Sequence, residues 1–353
     1  MKSSTRFPEI TVAGTPKEMG QQLGEQARDA VRGFCEYSRD YAEQTCQLAA
    51  APIEQVVGRS LEHAEQYAPH MVEELRGVAS TADVSLNDLM LLQVRNQLRP
   101  SDDAGCTAVS LPSGGVRQGA ILAQNWDADP TLDAFTVVLT RRPQGKPAAL
   151  TCTQAGLISY LGFNAAGIGA CVNTLPAPSR EWGVPHYFTL RGLHEATSLE
   201  SAFAAVDRAE RAIPANIMLC TPQGPVDFEV TLEKVYQLFP DDQPWLTHSN
   251  HCVHESLQAV NEQFPELIQS YARKERIDQL LTHRDADREA VMEMLRDHEG
   301  YPRSICRHAN DDPQHGIWTT VFSMVMEPAE NQMFVSRGNP CEQPYERYQL
   351  VAD

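Results

Sequence analysis

The sequence predicts an α+β protein in which sheets pack face to face and are covered by helices. Apolar residues recur at helical spacing over the first hundred residues, and short β-branched runs replace that pattern after Gly105. Helical patterns then return only in separate blocks. Strands in runs and helices in runs are typical of α+β proteins. The 353 residues, 42% hydrophobic and 22% charged, are enough to bury one large core or two smaller ones.

Three helices are predicted in the segment that ends at Gly105. The first begins at Pro16 and the second at Pro52, and Pro69 interrupts the second because proline removes a backbone hydrogen bond. The third begins after Ser85, whose hydroxyl is a suitable helix cap. These helices cover about 16–45, 52–79 and 85–98. Residues 1–105 are therefore predicted to form a helical N-terminal segment.

The strands of the predicted sheets lie between Cys106 and Asp353. They cover 106–111, 120–126, 135–140, 148–153, 157–163, 168–173, 216–220, 226–231, 234–239, 245–247, 318–326 and 332–336. Helical patterns occupy 198–209 and 261–295, with a break near 282–287. The glycine-rich stretch 162–169 lies between two strands, which favours a hairpin turn over a phosphate-binding loop.

Charge and targeting signals restrict the partners and the compartment. Lys and Arg number 29 against 47 Asp and Glu, a net charge of −18 that repels nucleic acid and anionic membranes. No apolar run reaches the roughly 18 residues of a membrane helix, and neither end carries a secretory or peroxisomal signal. Nine dispersed cysteines without a CxxC pair suggest reduced thiols. We expect a cytoplasmic protein without nucleic-acid or membrane partners.

Cys106 is the candidate nucleophile. It follows Gly105 at a junction between a polar loop and a strand, and glycine leaves the preceding carbonyl unshielded. This arrangement suits an N-to-S acyl shift, in which the thiol attacks that carbonyl and water splits the resulting ester. The α-amino group released on Cys106 then serves as the base for its own thiol. Judged on the residues alone, a Gly-Cys pair at such a junction is usually just an ordinary strand start.

A set of motifs in chain order resembles the peptidase C45 family. That family contains the fungal acyl-CoA:6-aminopenicillanic-acid (isopenicillin N) acyltransferase and is a branch of the N-terminal-nucleophile hydrolases. The matching segments are EMG at 18–20, LG at 23–24, GCT at 105–107, LPSGG at 111–115, QNWD at 124–127, GFNAAG at 162–167, GVP at 183–185, THSNHC at 247–252 and SICR at 304–307. Each segment alone is a weak signal, whereas the ordered set spans most of the chain.

The resemblance implies an αββα sandwich that is made as an inactive precursor and cuts itself between Gly105 and Cys106. Residues 1–105 would become a small subunit and 106–353 a large catalytic subunit, and the two would stay associated. Cys106 would be the nucleophile, and Asp127 the carboxylate that supports the nucleophile and its amine. Asn250 would donate its side-chain NH₂ to the oxyanion, and Arg307 would pair with Asp127. Neither a cofactor nor a metal is implied.

Plainer interpretations of these residues remain open when the resemblance is set aside. Asp127 is compatible with an Asx turn, Asn250 with a turn residue and Arg307 with a surface ion pair. His248, His251 and His254 have the chemistry of zinc ligands. In an extended segment, however, residues i and i+3 point to opposite faces, so we expect no metal there.

The expected function is that of a self-processing cysteine amide hydrolase or acyltransferase that forms an acyl-thioester on Cys106. Its partners would be a small-molecule acyl donor, either an amide or an acyl-CoA-like thioester, and an amine acceptor in the case of a transferase. We expect Trp182 and residues 175–179 and 185–188 to line the substrate pocket. The alternatives are a cyclase or condensing enzyme that uses the same thioester, or an unprocessed ligand-binding homologue.

Overall fold

A computed structural model describes residues 4–45, 50–98, 105–112, 120–264, 269–282, 287–313 and 316–351. Its helices are α1 (Pro16–Gln26), α2 (Arg28–Asp40), α3 (Ala50–Tyr67), α4 (Pro69–Ala82), α5 (Leu86–Val94), α6 (His186–His194), α7 (Leu199–Asp207), α8 (Ser270–Thr282) and α9 (Arg288–Met294). Its strands are β1 (Glu9–Gly14), β2 (Cys106–Pro112), β3 (Ala120–Ala128), β4 (Thr136–Pro143), β5 (Ala149–Gln154), β6 (Leu161–Asn164), β7 (Gly169–Asn173), β8 (Ala215–Thr221), β9 (Gly224–Val230), β10 (Val235–Leu238), β11 (Leu246–His248), β12 (Thr319–Glu327), β13 (Gln332–Arg337) and β14 (Glu346–Gln349). None of the helices within these ranges combines the length and the apolar character needed to cross a bilayer.

Two sheets lie face to face at the centre of the protein. The eight-stranded sheet has the order β1-β4-β5-β6-β7-β8-β9-β10, and the six-stranded sheet has the order β11-β2-β3-β12-β13-β14. Side chains join their inner faces: the Ser110 hydroxyl donates to the Leu219 carbonyl at 2.8 Å, and Gln124 Nε2 donates to the Val172 carbonyl at 2.7 Å. The alternation along β2 therefore directs one set of residues into the space between the sheets.

Helices cover both outer faces. Val109 and Ile121 of the six-stranded sheet pack against Ile277 of α8 and Met294 of α9. The other sheet is covered by α6 and α7 together with the N-terminal helices, all of which share one large core with it. The layers run helix, sheet, sheet, helix, so the predicted α+β class and αββα sandwich are confirmed.

The N-terminal segment is part of this sandwich and is not helical throughout. β1 pairs in parallel with β4, from Glu9 opposite Val138 to Gly14 opposite Pro143. Its alternating burial, with Val12 fully buried between exposed neighbours, is a strand signal that the sequence analysis overlooked. The segment thus contributes an edge strand to the eight-stranded sheet, whose other strands all follow Gly105.

Local sequence signals account for several boundaries. Ser85 caps α5, since its hydroxyl accepts from the Asp88 amide at 3.0 Å while the Asp88 carboxylate accepts from the Ser85 amide. The predicted turn between β6 and β7 is confirmed as a hairpin, and Asn164 Oδ1 accepts from the amides of Ala166 and Ile168. Helix α6 and strand β14 were not predicted, because neither carries a clear apolar period.

Candidate active site

Cys106 is the first residue of β2 and faces the space between the two sheets. It lies directly opposite Trp126 of β3, so both side chains project from the same face. That face lines a cleft with an empty volume of about 910 Å³. The apolar wall of the cleft includes Trp126, Leu132, Tyr160, Val172, Leu175, Ala177 and Ile213, and its polar groups include Arg95, Asn96, Asp129, Asn173, Thr174, Ser179 and His186.

The predicted pocket residues are only partly correct. Leu175, Ala177, Ser179 and His186 line the cleft as expected. Trp182 lies elsewhere, with its ring 4.3 Å from the Arg59 guanidinium carbon. Tyr187 and Phe188 are buried in the core, because α6 packs on the eight-stranded sheet and turns these side chains inward. These two aromatic side chains therefore pack in the core and do not line the cleft.

Arg95 was missed by the sequence analysis although it lines the cleft. It directly follows α5, and its Nε donates to the Tyr187 hydroxyl at 3.0 Å. Asn96 Nδ2 donates to the same hydroxyl at 3.3 Å. Buried Tyr187 thus holds the Arg95 guanidinium in the wall of the cleft.

Gly105 and Asp127 are in close contact beside Cys106. The Asp127 amide donates to the Gly105 carbonyl at 2.9 Å, which polarises the carbonyl that the acyl shift would attack. A Cβ atom at position 105 would lie 3.0 Å from Asp127 Oδ2 and 3.5 Å from Arg307 Nη1. Glycine is therefore favoured here because two charged groups approach its Cα closely.

The Asp127 carboxylate is fully buried and only half satisfied. Oδ1 accepts from the Thr320 hydroxyl at 2.8 Å, whereas Oδ2 has no hydrogen-bond partner among the described residues. Burial raises the pKa of Asp127 to about 6, although the charges of Arg273 and Arg307 and the Thr320 hydrogen bond act in the opposite direction. The carboxylate is therefore ionised at neutral pH and loses its charge in mild acid.

Arg307 lies near Asp127 without a direct ion pair. Its backbone is fixed by Thr320, whose hydroxyl accepts from the Arg307 amide and whose amide donates to the Arg307 carbonyl, both at 3.0 Å. None of its guanidinium nitrogens has a hydrogen-bond partner within the described ranges. Arg307 and Asp127 were expected to form an ion pair. They interact electrostatically without a direct hydrogen bond, and both side chains lie beside the Gly105 backbone.

Asn250 holds the backbone of Cys106. Its Oδ1 accepts from the Cys106 amide at 2.9 Å and from Arg273 Nη2 at 2.8 Å. Both partners are donors, which fixes the orientation of the side-chain amide. Nδ2 donates to the carbonyl of Thr174, at 3.0 Å, and Thr174 lines the cleft. Asn250 is thus brought to Cys106 as expected, with its oxygen toward the amide of the nucleophile.

Arg273 of α8 is a site residue that sequence reasoning missed. Its Nη1 donates to the Cys106 carbonyl and to the Thr107 hydroxyl, the latter at 2.9 Å, in addition to the Nη2 bond to Asn250. The side chain is almost fully buried although it lies on a predominantly polar helix. Its sequence context indicated a surface charge, and only the packing of α8 near the start of β2 reveals its position.

The histidine-rich segment supports Asn250 and does not form a metal site. His248 Nε2 lies 2.9 Å from the Glu229 carboxylate, which also accepts from the amides of Val253 and His254. His251 Nδ1 lies 2.7 Å from the Ser270 hydroxyl. The zinc alternative at His248, His251 and His254 was therefore wrong, because these side chains bind other protein groups instead of converging.

The thiol of Cys106 is neutral in the continuous chain. Burial raises its pKa to about 12, and the charge of Asp127 adds to the rise. The Asp127 amide, through a hydrogen bond, and the charge of Arg273 lower the pKa of this thiol.

Residues 116–341 match the model of the acyl-coenzyme A:6-aminopenicillanic acid acyl-transferase family. The chain belongs to this family. It is 27% identical over 337 residues to the acyl-coenzyme A:6-aminopenicillanic-acid-acyltransferase 40 kDa form of Emericella nidulans, covering 94% of this chain and 92% of that protein. The predicted family is confirmed, as is its enzyme class of acyltransferases and amide hydrolases.

More distant similarities extend to a hydrolase and to solved structures. The β-alanyl-dopamine/carcinine hydrolase of Drosophila melanogaster is 25% identical over 225 residues, 57% of each chain. A Caenorhabditis elegans N-acylethanolamine-hydrolyzing acid amidase ortholog has a TM-score of 0.45 and 17% identity, covering 70% of this chain and all of that one. Penicillin V acylase from Agrobacterium tumefaciens has a TM-score of 0.43 and 13% identity, covering 70% and 79%.

Proposed function

We propose that this protein is a self-processing cysteine acyltransferase or amide hydrolase that forms an acyl-thioester on Cys106. One observation carries the proposal: the Asp127 amide holds the Gly105 carbonyl at 2.9 Å, directly beside Cys106, which lines a cleft between the two sheets. Cys106, Asp127, Asn250 and Arg307 are its catalytic residues. Gly105 and Cys106 form its cleavage site.

Maturation begins when the Cys106 sulfur attacks the Gly105 carbonyl carbon. The Asp127 amide stabilises the oxyanion, since it already binds that oxygen at 2.9 Å. The C–N bond breaks and the Cys106 nitrogen takes up the thiol proton, which leaves a thioester between Gly105 and Cys106. Water hydrolyses the thioester, so Gly105 ends in a carboxylate and Cys106 regains its thiol.

The new amine of Cys106 is then held by groups that are already in place. Asn250 Oδ1 binds the same nitrogen in the continuous chain, and Asp127 Oδ2 lies beside the position that Gly105 vacates. An α-amino group with a reference pKa of about 7.7–8.0 can accept the thiol proton near neutral pH. The nucleophile and its base thus belong to one residue.

In turnover, the thiolate attacks the carbonyl of an amide or an acyl-CoA-like thioester and expels the amine or thiol. The Asn250 NH₂ group serves as the oxyanion donor, which requires it to reach the substrate carbonyl from its position beside Thr174. Arg307 supplies positive charge beside Asp127, and Arg273 supplies positive charge near the thiolate. Water or an amine acceptor then releases the acyl group.

The substrate is a small molecule whose acyl group packs against the apolar wall of the cleft. A cleft lined by apolar side chains and a few polar groups is typical of small-molecule sites. Relatives are named for acyl transfer to 6-aminopenicillanic acid and for hydrolysis of β-alanyl-dopamine and carcinine, which supports both outcomes of the thioester. The described cysteines are free thiols, which supports a reducing compartment such as the cytoplasm.

Denaturing electrophoresis and mass analysis test self-cleavage. We expect fragments of 105 and 248 residues, about 12 and about 27 kDa, with Cys106 at the N-terminus of the larger fragment. The two fragments should co-elute in native size exclusion. A fully active, intact chain would refute the proposal, and an inactive intact chain that binds ligand would favour the unprocessed homologue.

A screen of acyl donors, with and without an amine, then identifies the reaction. Release of free acid without the amine indicates a hydrolase, and an amide product that requires the amine indicates a transferase. A ring or carbon–carbon bond formed from the donor itself would instead indicate the cyclase or condensing alternative. Cys106→Ala, which lacks the nucleophile, is the matched control in every arm.

A further inference from the structure

Two cysteines and two histidines converge outside the active site. His298 follows α9, Cys306 and His308 flank Arg307, and Cys341 lies between β13 and β14. One ligand atom from each residue lies within 4.8 Å of the corresponding atom of every other. Three separate segments therefore present imidazole nitrogens and sulfurs to a common point.

Four of the six distances between these atoms are close to those of a tetrahedral zinc site. Zn–S bonds of about 2.3 Å and Zn–N bonds of about 2.0–2.1 Å place two sulfurs about 3.8 Å apart, two nitrogens about 3.3 Å apart, and a sulfur and a nitrogen about 3.6 Å apart. The observed distances are 3.6 Å between the sulfurs of Cys306 and Cys341 and 3.1 Å between Nε2 of His298 and His308. His308 Nε2 lies 3.7 Å from Cys306 Sγ and 3.5 Å from Cys341 Sγ.

The surroundings also suit a bound cation. Asn339 Nδ2 donates to Cys306 Sγ at 3.5 Å, the kind of hydrogen bond that stabilises a thiolate ligand. Tyr301 packs against the His308 ring, with centroids 5.3 Å apart. Cys306 is buried, whereas His298 and Cys341 are exposed, so the site has an anchored inner ligand and an open route from solvent.

We propose that His298, Cys306, His308 and Cys341 bind one Zn²⁺ ion in a closed, four-coordinate structural site. Two thiolates and two imidazoles form a donor set typical of structural zinc, and four protein ligands leave no open position for substrate. A disulfide is the competing use of the cysteines. The two sulfurs are well beyond the bonded distance of about 2.05 Å, with His308 close to both.

The ion acts on the active site by fixing the backbone of Arg307. The two residues beside Arg307, Cys306 and His308, are ligands. The Arg307 carbonyl accepts from Asn339 Nδ2 at 2.7 Å and from the Thr319 hydroxyl at 3.0 Å. Asn339 also contacts the Cys306 sulfur. The zinc site would therefore hold the segment that directs Arg307 toward Gly105 and Asp127.

Metal analysis of the full-length protein tests the site directly. The protein is expressed in zinc-supplemented medium, purified with a reductant and without chelator, and analysed by inductively coupled plasma mass spectrometry. We expect one zinc per chain in the wild type and almost none in Cys341→Ser and His298→Ala, which alter exposed side chains. His63→Ala, at a histidine that pairs with Glu210, is the matched control and should keep its zinc.

Cobalt substitution and thermal unfolding give readouts that do not depend on catalysis. Cobalt added to the zinc-free protein should produce the visible absorption of a tetrahedral site and a thiolate charge-transfer band, both absent in Cys341→Ser. Chelation should lower the Tm of the wild type and of His63→Ala but not of the two ligand variants. A reduced wild-type protein that takes up neither zinc nor cobalt, or ligand variants that retain full zinc, would overturn the proposal, as would a Cys306–Cys341 disulfide that leaves no metal binding after reduction.

Discussion

The two sides of the Gly105–Cys106 bond differ in how well their polar groups are satisfied. On the Gly105 side, Asp127 Oδ2 and the Arg307 guanidinium have no hydrogen-bond partner among the described residues. On the Cys106 side, Asn250 and Arg273 bind both the amide and the carbonyl of the nucleophile. Both sides are buried, so the difference does not arise from access to water.

Buried polar groups without hydrogen-bond partners cost free energy. We interpret those on the Gly105 side as groups that gain partners when the chain is cleaved. Cleavage would create a carboxylate on Gly105 and an amino group on Cys106, and the new carboxylate would lie next to Arg307 and Asp127. The Cys106 side must keep its geometry through both maturation and turnover. The Gly105 side is thus suited to a change of charge, and the Cys106 side is suited to precise positioning of residue 106.

Removal of the shared nucleophile should have the largest effect. Cys106→Ala is expected to abolish cleavage and turnover, because one thiol performs both steps. Cys106→Ser should cut slowly and lose most transfer activity, since a hydroxyl is the poorer nucleophile. Gel analysis and a turnover assay check both variants. Cys152→Ala, at another buried thiol, is the control and should stay active if it folds; the equivalent Cys46→Ala falls at a position outside the described residues.

Asn250 allows the positioning and oxyanion roles to be separated. Asn250→Ala should lower kcat by roughly 10²–10³-fold with little change in KM, if its NH₂ group stabilises the transition state. Asn250→Asp keeps an oxygen toward the Cys106 amine but loses the donor, so its kcat should fall similarly. Kinetics on the cleaved fraction and a Tm for each variant decide the issue. A lower Tm with kcat within about twofold of wild type would make Asn250 a purely structural residue.

The two arginines should respond differently to lysine. Arg273→Lys cannot reproduce the forked hydrogen bonds to Cys106, Thr107 and Asn250, so cleavage and kcat should fall by about 10²-fold. Arg307→Lys keeps the charge and should lose about tenfold or less, whereas Arg307→Met should lose considerably more. Rates of self-cleavage and turnover measure both. A larger loss of rate in Arg307→Lys than in Arg273→Lys would contradict the different roles that we assign to the Gly105 side and the Cys106 side.

Self-cleavage should weaken as the pH falls through about 6. Burial raises the pKa of Asp127 to about 6, so the carboxylate that we propose supports the nucleophile becomes neutral below that pH. At pH 5 the rate should be about tenfold below its plateau. Asp127→Asn should be slow at every pH and lose this dependence. A wild-type rate that stays constant from pH 7 to pH 5 would exclude a role for the charged carboxylate.

Gly105→Ala should have the smallest effect. The added methyl would lie 3.0 Å from Asp127 Oδ2, a contact that shifts of a few tenths of an ångström can relieve. We expect cleavage to slow by about tenfold or less, because modest misplacement of reacting groups reduces the rate. Turnover of the cleaved fraction should remain normal, since residue 105 is then no longer attached. Unimpaired cleavage would show that the close approach is not required.

Sequence reasoning selected Cys106, Asp127 and Asn250 because they lie in short ordered motifs, and the structure places them close together. Gly105, Cys106 and Asp127 lie on paired strands, and hairpin pairing of β2 with β3 brings them together. Arg273 escaped prediction because a helix with a polar sequence gives no sign that one of its arginines is buried. The cysteine–histidine cluster escaped for a related reason: its four ligands span 298–341 without the short spacing of a metal motif.

The fold was predictable where the periodic pattern is long and was missed where elements are short. The interruption at Pro69 and the cap at Ser85 follow from local chemistry, and both appear as expected. β1 has six residues and lies ahead of a helical region, so its alternation was overlooked. Its partner β4 is more than a hundred residues away, and such a distant pairing leaves no signal in the local sequence.

The parallel pairing of β1 with β4 has a consequence for the lifetime of the cleaved molecule. Glu74 reinforces the same junction, since its buried carboxylate pairs with Arg141 at 2.8 Å and with Arg191 at 3.0 Å. Departure of residues 1–105 would expose a sheet edge and leave buried Arg141 without its carboxylate partner, a loss of about 3–5 kcal/mol, whereas Arg191 would keep its second partner, Glu195. If the chain cuts itself as we propose, isotopically labelled and unlabelled molecules should exchange their first fragments no faster than they unfold, and each cleaved molecule would keep the fragment with which it was synthesised.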